Sequence, residues 1–327
     1  MMRLLTIVSL VCAQLNLFVT VQAQTPVIFD TDMGPDYDDV GAITLLHHAA
    51  DKGHIRILAT IASDAHPRVA ATLSVLNTYF RRADTPIGVA ATPCVTDSDV
   101  QHWTDTLVAR YPHTLQSNQQ AKDAVDLYRQ LLSTAADHSV VVITVGFLTN
   151  LSRLLESGPD RWSALTGAEL VTAKVSSLYA MAGRFPEGRE YNIWRDPKAA
   201  QVVFSRWPTP VVLSGFEIGE QIKTGMPLIN QVNIVNSPVK DVFRISIPKS
   251  EQDRSGRMSW DQTAVLAAIP GEQNWFTSEE GRILVLPDGS NRWDPNGHGH
   301  RRLIFLQPAP AVQQHIDQLM MHQPVDR

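Results

Sequence analysis

Five carboxylates fall within ten residues at Asp30, Asp32, Asp36, Asp38 and Asp39, in the stretch Val27-Ile28-Phe29-Asp30-Thr31-Asp32-Met33-Gly34-Pro35-Asp36-Tyr37-Asp38-Asp39. Carboxylates held a few ångströms apart raise one another's pKa or recruit a cation. An all-oxygen donor set of this kind suits a hard divalent ion, Ca²⁺ or Mg²⁺. Two acids at a helix start would read as an ordinary solvated turn. Five after an apolar run point to a cation site.

The elements around the cluster show how it could be aimed. Residues 27–30 read as a short buried strand, and residues two apart on a strand point to one face, so Asp30 and Asp32 can face the same ion. Gly34 permits a tight turn. Residues 38–50 read as a helix, with Val40, Ile43, Leu45 and Leu46 at helical spacing. Its N-terminal dipole favours Asp38 and Asp39 by a few tenths to about 1 kcal/mol each.

The same alternation continues downstream. Strands are expected over 55–62, 86–89, 139–145, 174–182 and 210–214. Helices are expected over 68–81, 121–136, 148–156, 196–206, 261–269 and 309–321, with a further one near 103–111 inside a long polar loop. Residues 219–248 carry no clear pattern. Residues 283–286 and 303–306 read as a peripheral antiparallel pair, and Asn291, Trp293 and Asp294 as part of a turn. Repeated βα units predict one α/β domain over 24–327, an open, doubly wound, mostly parallel sheet flanked by helices. Ligands of such sheets bind outside the carboxyl ends of the strands.

Residues 1–23 stand apart as a secretory signal peptide. They have a positive start at Arg3, apolar stretches over 4–10 and 15–21, and a small-residue cleavage site at Val21-Gln22-Ala23. Gln14, Asn16 and the short length argue against an uncleaved membrane anchor, since a spanning helix needs about 20 apolar residues. The expected location is outside the cell, or the periplasm if the source is a Gram-negative bacterium. Cleavage would remove Cys12 and leave Cys94 alone, which excludes an intramolecular disulfide and leaves stability to the core. The net charge is −5, or −6 without Arg3, and no basic stripe is present. A nucleic-acid polymer is therefore not an expected partner.

Four ordered segments resemble the nucleoside hydrolase family, the inosine–uridine-preferring N-ribohydrolases, in a variant with a longer Asp-rich loop. They are Asp30–Asp39, Val145-Gly146-Phe147-Leu148-Thr149-Asn150, Met181-Ala182-Gly183 with Glu190-Tyr191-Asn192 and Asp196-Pro197, and Trp260-Asp261-Gln262-Thr263-Ala264-Val265. The resemblance implies one Ca²⁺ held by the carboxylates of Asp32, Asp39 and Asp261 and the carbonyl of Val145. It implies that a water on the metal attacks the anomeric carbon with Asp32 as general base. Asp38, or Asp36 given the longer loop, would hold a ribose hydroxyl, as would Glu190 and Asn192. Dimers or tetramers are common in the family, so a homo-oligomer is an open expectation. Cleaving an N-glycosidic bond builds an oxocarbenium-like sugar, which carboxylates stabilise.

The chain also departs from the family pattern. A His that helps the base depart is expected directly before the last metal Asp, and Trp260 stands there. Indole is no acid at neutral pH. Trp260 either stacks on the nucleobase or packs in the core beside the helix start. The segment Arg184–Arg189 is short and lacks the Asn expected at the ribose 5′-hydroxyl; Arg184 or Arg189 could substitute, though two exposed loop arginines are the plainer reading. Asp64 stands where Asn is usual near the sugar and is a weak substrate-binding candidate. His47-His48 and His298-Gly299-His300 lack convergent partners at zinc spacing. Two other functions compete with ribonucleoside hydrolysis. Phe29-Asp30-Thr31-Asp32 resembles the opening of Mg²⁺-dependent haloacid-dehalogenase-type phosphatases, but that reading gives Asp38-Asp39 and Trp260-Asp261 no role. A secreted riboside-binding protein without catalysis would account for the missing His.

Overall fold

The computed structural model describes residues 24–325. The segment read as a signal peptide, 1–23, lies outside them. Its strands are β1 Thr25–Thr31, β2 Ile55–Ala62, β3 Ile87–Val89, β4 Lys122–Asp123, β5 Val140–Thr144, β6 Val175–Met181, β7 Glu187–Arg189, β8 Val211–Ser214, β9 Lys223–Thr224, β10 Arg257–Met258, β11 Phe276–Val285, β12 Ser290–Asp294 and β13 His300–Phe305. Its helices are α1 Asp38–Asp51, α2 Val69–Tyr79, α3 Trp103–Arg110, α4 Ala124–Thr134, α5 Thr149–Glu156, α6 Gly167–Lys174, α7 Tyr191–Arg195, α8 Pro197–Arg206, α9 Phe216–Gly219, α10 Met226–Asn230, α11 Pro238–Ser246, α12 Trp260–Ala268 and α13 Ala309–Met320.

Eleven strands form one sheet in the order β4-β3-β2-β1-β5-β6-β8-β13-β11-β12-β7. From β4 to β13 every pairing is parallel, and from β13 onward the pairings are antiparallel. β1 lies between β2 and β5, so its backbone is fully paired and its side chains are covered on both faces. The alternation is visible in the core. Val27, Phe29, Val141 and Ile143 face a layer built from α1, α2, α12 and α13, whereas Ile28, Val140 and Val142 face α4, α5, α6 and α8. This is the mostly parallel α/β sheet expected, buried on both sides.

The sequence reading is corrected at several places. The 283–286 and 303–306 runs are not a peripheral pair. β13 joins the main sheet beside β8 and pairs with 276–281 of β11, while 282–285 pairs with β12. Asn291, Trp293 and Asp294 therefore lie in a strand, not a turn. Residues 167–174 form α6, begun by a capping box in which Thr166 and Glu169 bond each other's backbone N–H. Lys122-Asp123 pairs with β3 instead of starting a helix, and Asp123 caps α4 by accepting from the Asp126 N–H at 2.9 Å. The patternless span 219–248 contains α10 and α11. Among the described residues, no helix is long and apolar enough to cross a membrane.

Candidate active site

The acidic loop leaves β1 at the carboxyl edge of the sheet. The Val145 N–H donates to the Asp30 carbonyl at 2.8 Å and the Ser63 N–H to the Thr31 carbonyl at 2.8 Å, so three strand ends are tied together there. Gly146 makes the approach possible, because a Cβ on it would sit 2.4 Å from the Asp32 nitrogen. Asp30 is buried and points inward, accepting from the Tyr128 hydroxyl at 2.9 Å and the Asn150 amide at 3.1 Å. It supports the loop from beneath and does not line the cavity.

α1 and α12 pack on each other and bring the remaining acids in. Asp38 Oδ2 accepts from the backbone N–H groups of Trp260 at 3.0 Å and Asp261 at 3.2 Å, which satisfies the exposed start of α12. Its Oδ1 accepts from Arg257 Nε at 3.1 Å. Arg257 Nη2 also donates to Asp36 Oδ2 at 2.5 Å. Thr31 Oγ1 donates to Asp39 Oδ1. Opposite, Glu190 caps α7 by accepting from the N–H groups of Asn192 at 2.7 Å and Ile193 at 3.2 Å, and it also takes the Gly183 N–H at 3.2 Å. The Asn192 amide donates to the carbonyls of Val145 and Met181, both at 3.1 Å.

These groups border a cavity of about 390 Å³, a size suited to a small organic ligand. Asp32, Asp36, Asp38, Val145, Glu190, Asn192 and Asp261 all line it, together with an aromatic and cationic wall of Tyr191, Phe216, Trp260 and Arg257. A roomier hollow of about 670 Å³ lies at the opposite end of the strands, around Arg56, Arg81 and Asp84. It contains none of the motif residues. Asp64 lies outside the cavity lining; its two oxygens accept the N–H groups of His66 and Asp97, the latter at 2.8 Å, so its bonds organise a neighbouring loop.

Burial raises the pKa of Asp32, Asp39 and Asp261 well above the usual carboxylate range, and neighbouring negative charge raises each further, from Asp39 and Asp36 at Asp32, from Asp36 and Asp38 at Asp39, and from Asp38 and Asp39 at Asp261. Burial also brings Glu190 to about 7, and burial together with the Asp36 charge brings Asp38 to about 7. A divalent cation reverses that penalty by favouring the charged forms. The donor set, three buried carboxylates and the Val145 carbonyl, therefore fits a hard cation. Among the described residues no three acidic, His or Cys side chains converge as a preformed metal cluster, so the fit rests on donor chemistry and mutual repulsion.

Trp260 is half-buried and lies between the two expectations for it. Its ring packs 5.0 Å from Phe216 and its Nε1 donates to the Phe216 carbonyl at 2.9 Å, yet it lines the cavity. Gly219 allows this, since a Cβ there would meet the Trp260 Cα at 2.4 Å. Arg184 and Arg189 are both exposed, with the Arg184 guanidinium 4.7 Å above the Phe216 ring. His47 is buried against Phe80, and His300 is buried beside Phe204. Arg257 is the site residue that sequence reasoning misses. The sign available there is a single basic residue three positions before Trp260, in a chain segment with no readable pattern.

The sequence model described as inosine-uridine preferring nucleoside hydrolase matches residues 27–300. The chain belongs to this family. It is a hydrolase acting on N-glycosyl compounds. It is 24% identical over 227 residues to the pyrimidine-specific ribonucleoside hydrolase RihA of Salmonella agona, covering 66% of this chain and 68% of that one. The RihA of Photobacterium profundum is 27% identical over 223 residues with the same coverage. Among solved structures, the fold is shared with a purine-preferring ribonucleoside hydrolase from Gardnerella vaginalis at TM-score 0.71 and 16% identity, over 90% of this chain and 99% of that one. An inosine-guanosine nucleoside hydrolase superposes at TM-score 0.70 and 19% identity, over 92% and 99%.

Proposed function

We propose that this hydrolase cleaves the N-glycosidic bond of ribonucleosides with Ca²⁺, using Asp32 as general base and releasing free base and ribose. The observation that carries the reading is a cavity lined by buried Asp32 and Asp261 together with Val145, with Asp39 buried outside the lining and its charge raising the pKa of both. Those four groups would hold the cation, which when bound supplies Lewis acidity and a docking point for the ribose diol.

The chain's own residues account for the rest. Asp32 takes the proton of the attacking water as the water oxygen bonds to the anomeric carbon. Asp38 and Asp36 offer oxygens for a ribose hydroxyl, Asp36 keeping its Oδ1 outside the Arg257 contact. Asn192 and Glu190, which line the same cavity, would offer further polar contacts to the sugar. The carboxylates stabilise positive charge on the sugar ring as the bond breaks. Direct attack opposite the base inverts the anomeric carbon. A site that pairs ribose hydroxyls rejects the 2′-deoxy analogue, which leaves its partners unpaired.

The test is incubation of purified protein with purine and pyrimidine ribonucleosides and with a phosphate monoester, with and without chelator. Reducing-sugar release abolished by chelator and by Asp32→Ala is the expected result. Ribose release retained by a folded Asp32→Ala variant overturns the assigned base. Because position 260 carries no acid, a protein that binds ribosides without turnover is the second reading. Tight nucleoside binding with no sugar release selects it, and phosphate release selects a phosphatase.

A further inference from the structure

Breaking the C1′–N bond sends its electron pair onto the nucleobase, and that charge needs a donor or cation at the base side of the cavity. The ring donors of the cavity are already committed, which leaves the exposed Gln252 amide and the buried Arg257. Trp260 Nε1 bonds the Phe216 carbonyl at 2.9 Å, and the Tyr191 hydroxyl bonds Asp97 at 2.7 Å. Among the described residues lining the cavity there is no His or Lys, and Arg257 is its cation.

Arg257 is held rigidly. Its side chain is 7% exposed. Its guanidinium carbon lies 5.1 Å from the centre of the Tyr37 ring and 5.0 Å from that of Trp260. Nε is fixed by Asp38 and one Nη2 N–H by Asp36. Nη1 stands 3.8 Å from Asp253 Oδ2, beyond hydrogen-bond reach. Arginine carries five N–H donors, so three remain without an acceptor among the described residues. A fixed cation with spare donors needs no reorganisation as charge develops.

We propose that Arg257 is a catalytic residue for departure of the base, its free N–H groups donating to the acceptor next to the glycosidic nitrogen, O2 of a pyrimidine or N3 of a purine. This rests on the ribonucleoside reading above. The water oxygen bonds to C1′, the water proton passes to Asp32, and the C1′–N bond breaks with its electron pair on the base. The base leaves as an anion paired with Arg257 and takes its proton from solvent. The guanidinium stays protonated throughout.

The experiment compares wild-type protein, Arg257→Gln and Arg257→Lys on uridine, inosine and p-nitrophenyl β-D-riboside, whose nitrophenolate leaves without assistance. Calcium affinity is measured in parallel by calorimetry. For the Gln variant, kcat on both nucleosides should fall about 10²- to 10³-fold, the loss typical of one transition-state donor. On the activated riboside it should fall less than tenfold with Ca²⁺ affinity retained, and Lys should recover part of the nucleoside rate. Equal losses on all substrates, or losses matched by weaker Ca²⁺ binding, would overturn the proposal and leave Arg257 as a positioning residue for Asp36 and Asp38. Undiminished nucleoside turnover would overturn it too. Should the Gln variant fail to fold, the wild-type dependence of kcat on leaving-group pKa decides, a shallow slope supporting the proposal and a steep one overturning it. Wild-type protein inactive on every riboside would overturn the hydrolase reading itself, and this inference with it.

Discussion

Position 260 holds an indole whose N–H is spent on the Phe216 carbonyl, while its face remains on the cavity. Trp260→Ala removes stacking area without removing a proton donor. The expected result is a higher KM for aromatic-base nucleosides and a smaller change for the p-nitrophenyl riboside; unchanged kinetics would assign Trp260 to packing alone. Glu190 gives a second test at this scale. Its ordinary value is 4.5 and burial raises it to about 7. A carboxyl with a raised folded-state pKa stabilises fully below its unfolded pKa and loses that stabilisation as pH rises through the folded value. Relative to wild type, Glu190→Gln should therefore gain stability between pH 4 and pH 8, by roughly 3 kcal/mol. Denaturant titrations across that range check it, and a pH-independent difference would refute it. The acids of the site were legible because five carboxylates packed beside a buried strand repel one another unless a cation joins them. Arg257 was not, because a single arginine has no periodicity and its partners lie 219 and 221 positions away.

Helices and strands set the precision of the site. The carboxyl ends of β1, β2 and β5 touch closely enough that Gly146 has no room for a methyl group. Gly146→Ala should cost about 1–3 kcal/mol by overpacking and weaken Ca²⁺ binding by displacing Asp32 or Val145, read by thermal unfolding and calorimetry on one sample. A stable variant with unaltered affinity would show that the loop absorbs the change. The parallel half of the sheet was readable because each strand there is a short apolar run followed by a helical period. The antiparallel end was not. β11, β12 and β13 are half-polar strands whose register depends on partners, and 283–286 carries no mark showing that it pairs with β12 while 276–281 pairs with β13. α6 did carry its signature, Thr166 three before Glu169, but lacks an amphipathic stripe long enough to stand out.

Over the whole molecule, cation binding and stability are linked through protons. Burial and neighbouring charge make Asp32, Asp39 and Asp261 hold protons more tightly than ordinary carboxylates, and a divalent ion held by them as proposed would require them ionised. Ca²⁺ binding near pH 7 should release protons, seen as a calorimetric heat that varies with buffer ionisation enthalpy, and affinity should fall as pH drops. Calcium at about 100 times its Kd should stabilise the fold by about 2.7 kcal/mol. A buffer-independent heat would show that the acids are already ionised.

The two backbone N–H groups that Asp38 accepts belong to residues more than 220 positions further along the chain. The first motif of the protein is thus finished by almost the last. During synthesis the loop after β1 emerges early, and its acids wait without their arginine or their helix start until residues 257–261 appear. β8 also waits, because its neighbour β13 ends only at Phe305. Stalled or clipped chains that stop before that strand would carry an unpaired sheet edge and an uncompensated acidic loop. The loop made first is therefore completed only by residues 257–261, made more than 200 positions later.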